Sequence, residues 1–186
     1  MARTILISTL LTLSACSDGP AVGPDAGPEA PPPQGSPATS DLVINEIAPR
    51  PESGPDWIEI LNRSDVALDL CEFFVTDNLD RLDHYLALGG AAPPDACEPS
   101  PLGPGEYAVV IADDDPAAGP GHAPFKLARA DEIHLVTIVG RAVDSLVYLH
   151  PDGAEGQSLA RTPDGDGAFY VSAPTEGQPN VAPEGL

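Results

Sequence analysis

Arg161–Tyr170, which reads RTPDGDGAFY, admits two opposite interpretations, a calcium-binding loop and a tight turn. Asp164 and Asp166 alternate with glycines, as acidic ligands do in a calcium-binding loop. An EF-hand loop also requires an oxygen ligand two residues after Asp166 and an acid at its twelfth position, where Ala168 and Thr175 stand. Helices would flank such a loop, whereas β-type residues flank this one. Because Asp-Gly pairs tolerate positive φ, we predict a tight turn between two strands.

Outward from this turn, the chain consists of short β-rich runs separated by Gly, Pro, Asn and Asp. No segment has a sustained period of 3.6 residues, and residues 89–103 have little strand character. Gly140 separates two strong runs and predicts a hairpin. The pattern predicts an all-β sandwich or barrel. We predict strands at residues 41–48, 56–62, 66–77, 85–88, 106–112, 132–139, 141–148, 158–161 and 168–172.

The N-terminus predicts export and a lipid anchor. Residues 1–15 hold an apolar run that is too short to span a bilayer, which needs about 20 apolar residues. The run ends in Leu13-Ser-Ala-Cys16, which resembles the lipobox of bacterial lipoproteins. We therefore predict a lipoprotein signal peptide over 1–15 and lipidation of Cys16; the alternative is an ordinary signal peptide followed by a chance cysteine. A lipid anchor implies a location in the cell envelope, in the periplasm or at the surface, with the outer membrane favoured over the inner.

Composition divides the rest of the chain. Residues 16–40 are rich in Pro, Gly and Ala and lack aromatic residues, so we predict a disordered tether behind the lipidated cysteine. Residues 41–180 are long enough for one domain, and 181–186 form a short tail. The net charge is −21 over 186 residues. So acidic a chain repels phosphate backbones, which predicts no nucleic-acid partner, but it leaves cation binding open.

Cys71 and Cys97 are the two cysteines that follow Cys16. Export places them in an oxidising compartment, where an even number of cysteines indicates a disulfide. Two free buried thiols are the alternative. No histidine stands at ligand spacing from either cysteine, which argues against a zinc site.

Several motifs resemble the lamin tail domain family in their order and spacing, over residues 41–180. They are NEI at 45–47, DWIEILN at 56–62, FVTD at 74–77, PGEY at 104–107, VD at 143–144 and the ending from Ser158 to Asn180. The resemblance implies an immunoglobulin-like β-sandwich that serves as an interaction, adhesion-like or structural module without shared catalytic residues. Cys71 and Glu72 depart from the family pattern, as do Phe73 and Phe169, which stand where tryptophan is common.

No pattern of catalytic residues stands out. The chain lacks Gly-x-Ser-x-Gly, and acids are so abundant that a pair of carboxylates carries no information. We predict a non-enzymatic, membrane-anchored module whose partner is an envelope or extracellular protein or glycan. The alternatives are an accessory domain or partner of a secreted hydrolase and a purely structural envelope component.

Calcium is the one small ligand that the sequence suggests, and no other cofactor is expected. Asp113, Asp114 and Asp115 follow an apolar strand, and Asp77 and Asp80 lie three residues apart. Calcium takes six to eight oxygen ligands, which clustered aspartates supply. The alternative is that both clusters are solvated acidic loops.

Overall fold

The computed structural model describes residues 31–36, 38–90, 97–183 and 185. None of the helices in this part of the chain has the length and hydrophobicity of a membrane-spanning segment. Short 3₁₀ helices lie at Leu70–Glu72, Leu82–His84 and Pro116–Ala118. The strands are β1 (Leu42–Ala48), β2 (Asp56–Asn62), β3 (Leu68–Asp69), β4 (Phe73–Thr76), β5 (Leu86–Ala87), β6 (Pro101–Leu102), β7 (Tyr107–Ala112), β8 (Ala130–Thr137), β9 (Ala142–Leu149), β10 (Ser158–Thr162) and β11 (Ala168–Ser172).

The strands form two main sheets. One has five strands in the order β11-β10-β1-β2-β7, the other has four in the order β5-β4-β8-β9, and β3 pairs with β6. All the paired strands are antiparallel. The prediction of an all-β sandwich is confirmed, and so is the β8–β9 hairpin around Gly140. Strand β6 lies in the segment that showed little strand character.

The hydrophobic core lies between the two main sheets. Ile44 and Ile58 face it from the five-stranded sheet, and Leu135 and Leu146 face it from the four-stranded sheet, all 0–1% exposed. Burying each such side chain contributes about 1.5–3 kcal/mol relative to leaving it in water. All seven residues of β1 are buried, including those that point away from this core. A second layer must therefore cover the outer face of the five-stranded sheet.

The opening motif forms the turn between β10 and β11. The carbonyl of Pro163 accepts hydrogen bonds from the N–H groups of Asp166 (3.1 Å) and Gly167 (3.0 Å). Gly165 has φ +69°, in the left-handed region that glycine tolerates. Gly167 approaches the carbonyl of Thr162 so closely that a Cβ there would overlap its oxygen. The predicted turn is confirmed, and strands flank it on both sides.

We expect Gly167→Ala to lower the free energy of unfolding by about 2 kcal/mol or more, because its methyl group would displace backbone rather than a flexible side chain. Gly105→Ala is the matched control. Gly105 has φ +73° and open space around it, so that variant meets only left-handed strain of about 1 kcal/mol. Urea denaturation measures both values, and equal losses would contradict the tight turn.

The folded unit begins before residue 41, where the sequence predicted the tether to end. We call residues 34–36 and 38–40 the N-terminal arm. Gln34 pairs with Phe169 of β11 through two backbone hydrogen bonds of 2.7 Å, and the N–H of Ala38 donates to the carbonyl of Asp166 at 2.7 Å. These contacts use mainly backbone groups, which leave no hydrophobic pattern in the sequence. Cys16 and the signal peptide lie outside the described residues.

Cys71 and Cys97 form the predicted disulfide, with their Cα atoms 5.9 Å apart. Gly89 packs against both sulfur atoms, where a Cβ would collide with them. The bridge spans a sequence separation of 26 residues. Closing a loop of this length stabilises the fold by about 3 kcal/mol through the entropy of the unfolded chain. The alternative of two free thiols is therefore wrong.

Candidate functional site

Residues 174–180, the C-terminal segment, cover the outer face of the five-stranded sheet. Two fully buried carboxylates of that sheet bind the segment. Glu46 on β1 accepts hydrogen bonds from the backbone N–H (3.1 Å) and the hydroxyl (2.8 Å) of Thr175. Glu59 on β2 accepts one from the N–H of Gly177 at 2.6 Å. The segment is the second layer that the burial of β1 and β2 requires.

Asn45 connects these carboxylates to the β10–β11 turn. Its Nδ2 donates to Glu59 (2.8 Å) and to Asp164 (3.1 Å), and its Oδ1 accepts from the N–H of Gly165 (2.9 Å). Asp164 also accepts from the N–H of Asn180 at 2.9 Å, at the far end of the C-terminal segment. The turn that first suggested calcium thus uses its first aspartate to bind the chain's own backbone.

In the described part of the chain, the three carboxylates accept hydrogen bonds from uncharged donors. None of the ion pairs formed by the described residues includes Glu46, Glu59 or Asp164. Burial raises the pKa of Glu59 to about 7, and repulsion from the other two carboxylates adds to this effect, against the hydrogen bonds from Asn45 and Gly177. Burial also raises the pKa of Glu46. Glu59 therefore takes up its proton at a much higher pH than an exposed glutamate does.

Two neighbouring carboxyl groups with raised pKa values resemble an acid–base pair, but their surroundings argue against catalysis. The side chains of Glu46 and Glu59 are 0% exposed, and both accept hydrogen bonds from the C-terminal segment. A substrate would have to displace this segment to reach them. The cluster therefore fastens the segment onto the sheet, which is a structural task.

We expect the protein to be most stable in mildly acidic solution. In the unfolded chain Glu59 has its ordinary pKa of 4.5, whereas in the folded protein its pKa is about 7. A raised pKa means that the stabilisation is complete below about pH 4.5 and is lost as the pH rises through about 7. The loss amounts to about 3 kcal/mol.

Urea denaturation between pH 4 and 9 measures this dependence. Glu59→Gln cannot ionise, so it should flatten the decline between pH 4.5 and 7 whatever its own stability. Glu132→Gln is the matched control, because Glu132 is half-exposed and lies outside the cluster. A wild-type curve that rises over this window would contradict the assignment.

The structure pairs two of the predicted calcium ligands with histidines. Asp77 Oδ1 lies 2.5 Å from His84 Nδ1, and Asp113 Oδ2 lies 2.8 Å from His122 Nδ1. Burial opposes ionisation of Asp113, but hydrogen bonds from His122 and from the N–H of Asp115 outweigh it and lower its pKa. Both aspartates are therefore engaged within the protein itself.

The other calcium candidates, Asp80, Asp114 and Asp115, form no ion pair among the described residues. Asp114, at φ +57°, lines one depression together with Asp77, Arg81 and Lys126. The exposed Asp80 lies in the other loop, and its N–H donates to Asn78 at 3.0 Å. Within residues 31–36, 38–90, 97–183 and 185, no three His, Cys, Asp or Glu side chains come close enough to hold a metal. Calcium binding therefore stays a prediction.

The sequence did not reveal the burial of Glu59. The alternation along β2 places Glu59 on the face opposite the core, where an acid is ordinarily exposed, but the C-terminal segment covers it. Asp164 was expected to serve only the turn, and its side chain also binds Asn180. The sequence signal that could have indicated this cover is the family-like ending. Pro174–Asn180 follows the last strand but has too few apolar residues to form a further strand.

Strand β9 is an edge of the four-stranded sheet, and the N-terminal arm contacts both of its ends. The side-chain amide of Gln34 accepts from the N–H of Leu149 (2.7 Å) and donates to its carbonyl (2.8 Å). The hydroxyl of Ser40 donates to the carbonyl of Val143 at 2.5 Å. Between these contacts lies a depression, which we call the β9 groove. It is lined by Gly35, Ser36, Thr39, Val143, Ser145 and Val147.

Comparison with known families agrees with this architecture. The profile of the Lamin Tail Domain family matches residues 35–150, which is more than half of the chain. The chain therefore belongs to the Lamin Tail Domain family. The matched segment begins within the N-terminal arm and ends before β10, so the ending motifs from Ser158 to Asn180 lie outside it. No curated protein and no solved structure gives a significant match to this chain.

Proposed function

We propose that the protein is a non-enzymatic binding module that a lipid on Cys16 anchors in the cell envelope, with an envelope or extracellular protein or glycan as its partner. The observation that carries this proposal is membership in the Lamin Tail Domain family, whose immunoglobulin-like sandwich serves as a structural or binding module. The family has no shared catalytic residues. The fold therefore favours binding over catalysis.

The use of the acidic residues supports this function. The buried carboxylates fasten the C-terminal segment, and Asp77 and Asp113 pair with histidines. Two of the depressions at the surface lie along β9 and between the loops that hold Asp77 and Asp114. Such surfaces suit a macromolecular partner, because a shallow site gains affinity by area and shape rather than by enclosure.

An accessory role beside a secreted hydrolase, stabilised by calcium, is the second candidate. The depression with Asp77 and Asp114 favours it, because two separate loops contribute an acid to one place. Arg81 and Lys126 line the same depression and would repel a divalent cation. This repulsion ranks the calcium-dependent function second.

The lipid anchor predicts that Cys16→Ser abolishes acylation, because the thiol is the acyl acceptor. Metabolic labelling of the full chain with a palmitate analogue, followed by membrane fractionation, measures the change. The double variant Cys71→Ser/Cys97→Ser is the control and should stay labelled. Equal labelling of Cys16→Ser and the wild type would contradict the anchor.

The binding function predicts a reproducible partner in the envelope. The full chain, immobilised as bait, should enrich one protein or glycan from envelope extracts over a bait made of the tether peptide 17–33. Parallel runs in calcium and in EDTA separate the two candidate functions, because only the second requires the ion. A bait that enriches neither proteins nor glycans in either condition would contradict both.

A further inference from the structure

We propose that strand β9 binds an extended, basic peptide of a partner as an additional strand at its free edge, through the backbone of Ser145–Val147. This inference rests on the proposed binding function and names the surface and the chemistry of the partner. Peptide addition to a sheet edge gains affinity from main-chain hydrogen bonds and specificity from alternate side chains.

The register of the sheet determines which backbone groups of β9 point outward. Backbone groups alternate sides along a strand, and β9 is the last strand of its sheet. Both backbone groups of Leu149 bond to Gln34, so they point away from β8. The N–H and C=O of Val147 and the C=O of Ser145 have the same direction. Among the described residues these three groups have no hydrogen-bond partner outside the sheet.

The arm leaves this part of the edge open because its own groups bond elsewhere. The carbonyl of Ser36 accepts from Arg161 at 2.7 Å, and the N–H of Ala38 donates to Asp166 at 2.7 Å. Gln34 and Ser40 imitate a paired strand only at the two ends of β9. An unpaired edge strand can pair with strands of other molecules, and proteins normally prevent this by covering the edge. Within the described part of the chain this block is incomplete at the centre of β9.

The side chains around this open edge suit an apolar contact. Val147 is 68% exposed and Leu149 is 52% exposed, and both lie on the solvent face of the sheet. The alternate residues Leu146 and Tyr148 face the core. A strand added beside β9 would place every second side chain beside Val147 on the solvent face and would turn the others toward the face on which Leu146 and Tyr148 lie.

Charge selects the partner. The chain has a net charge of −21, so a second copy of this protein is repelled. On the neighbouring strand, the half-exposed Glu132 is directly opposite Val147 and shares its solvent face. A peptide that carries lysine or arginine beside a central β-branched residue complements this edge, and an acidic peptide of the same shape does not.

The test uses two blocked peptides, acetyl-KTVTVK-amide and acetyl-ETVTVE-amide, titrated into the full chain and followed by backbone NMR. We expect the basic peptide to shift the amide signals of Ser145 and Val147 and the acidic peptide to leave them unchanged. Val147→Pro removes only an outward N–H, which edge strands tolerate, and should weaken binding about tenfold or more.

Matched variants keep the test valid if the proline variant does not fold. Val147→Glu should also weaken binding, whereas Val139→Glu should not, because Val139 is equally apolar and 84% exposed but lies in the β8–β9 turn. Equal affinities of Val147→Glu, Val139→Glu and the wild type would overturn the proposal. A dimer that forms without peptide and is lost in Val147→Glu would overturn it in favour of a second copy.

The envelope capture experiment separates this inference from the proposed function. If Val147→Pro and Val147→Glu capture the same partner as the wild type, the binding function stands and the β9 edge is wrong. If the wild type captures no partner and binds neither peptide, both are wrong. Loss of both capture and peptide binding in the Val147 variants, with retention in Val139→Glu, is the outcome we expect.

Discussion

The buried guanidinium of Arg161 joins elements of the fold that are distant in the chain. Arg161 is 1% exposed. Its Nε donates to the carbonyl of Ile44 on β1 at 2.7 Å, and one amino group donates to the carbonyls of Ser36 and Gly167, each at 2.7 Å. The other amino group binds both oxygens of Asp144 on β9, at 2.9 and 3.2 Å. All three guanidinium nitrogens thereby donate hydrogen bonds. Removing one partner of such a buried pair costs about 3–5 kcal/mol, so these elements must assemble together.

Arg161 also holds the β9 edge and the N-terminal arm in position. Because Arg161 belongs to the five-stranded sheet and Asp144 to the four-stranded sheet, their pairing holds the edge strand β9 against β1. The hydrogen bond to Ser36 holds the N-terminal arm along the same edge, and this brings Gln34 and Ser40 to the two ends of β9. The position at which the chain enters the fold is therefore coupled to the core through Arg161. A partner at the β9 edge would contact an element that the core itself keeps in place.

Strands and turns could be predicted from the sequence because their signals are local. The alternation in Asp56–Asn62 and the Asp-Gly pairs after Thr162 depend on neighbouring residues alone. The burial of Glu59 could not be predicted, because alternation shows which side of a sheet a residue faces but not whether another layer covers that side. The arm was missed because it binds through backbone groups and the amide of Gln34, without an apolar pattern. Strand β6 has only two residues, too few for any period. The long-range contacts, rather than the strands, are thus what the sequence conceals.

The high negative charge of the chain opposes the self-association that an exposed sheet edge would otherwise promote. A sheet edge with free backbone groups ordinarily promotes pairing between identical chains. A net charge of −21 opposes that pairing, since every approach of a second copy brings like charges together. The edge can therefore stay partly open without a complete block by the arm. The same field attracts a basic segment of another protein and mainly accelerates its association, while the affinity comes from the short contact at Val147. Charge in this domain thus selects which chains reach the edge, and backbone geometry determines which of them stay bound.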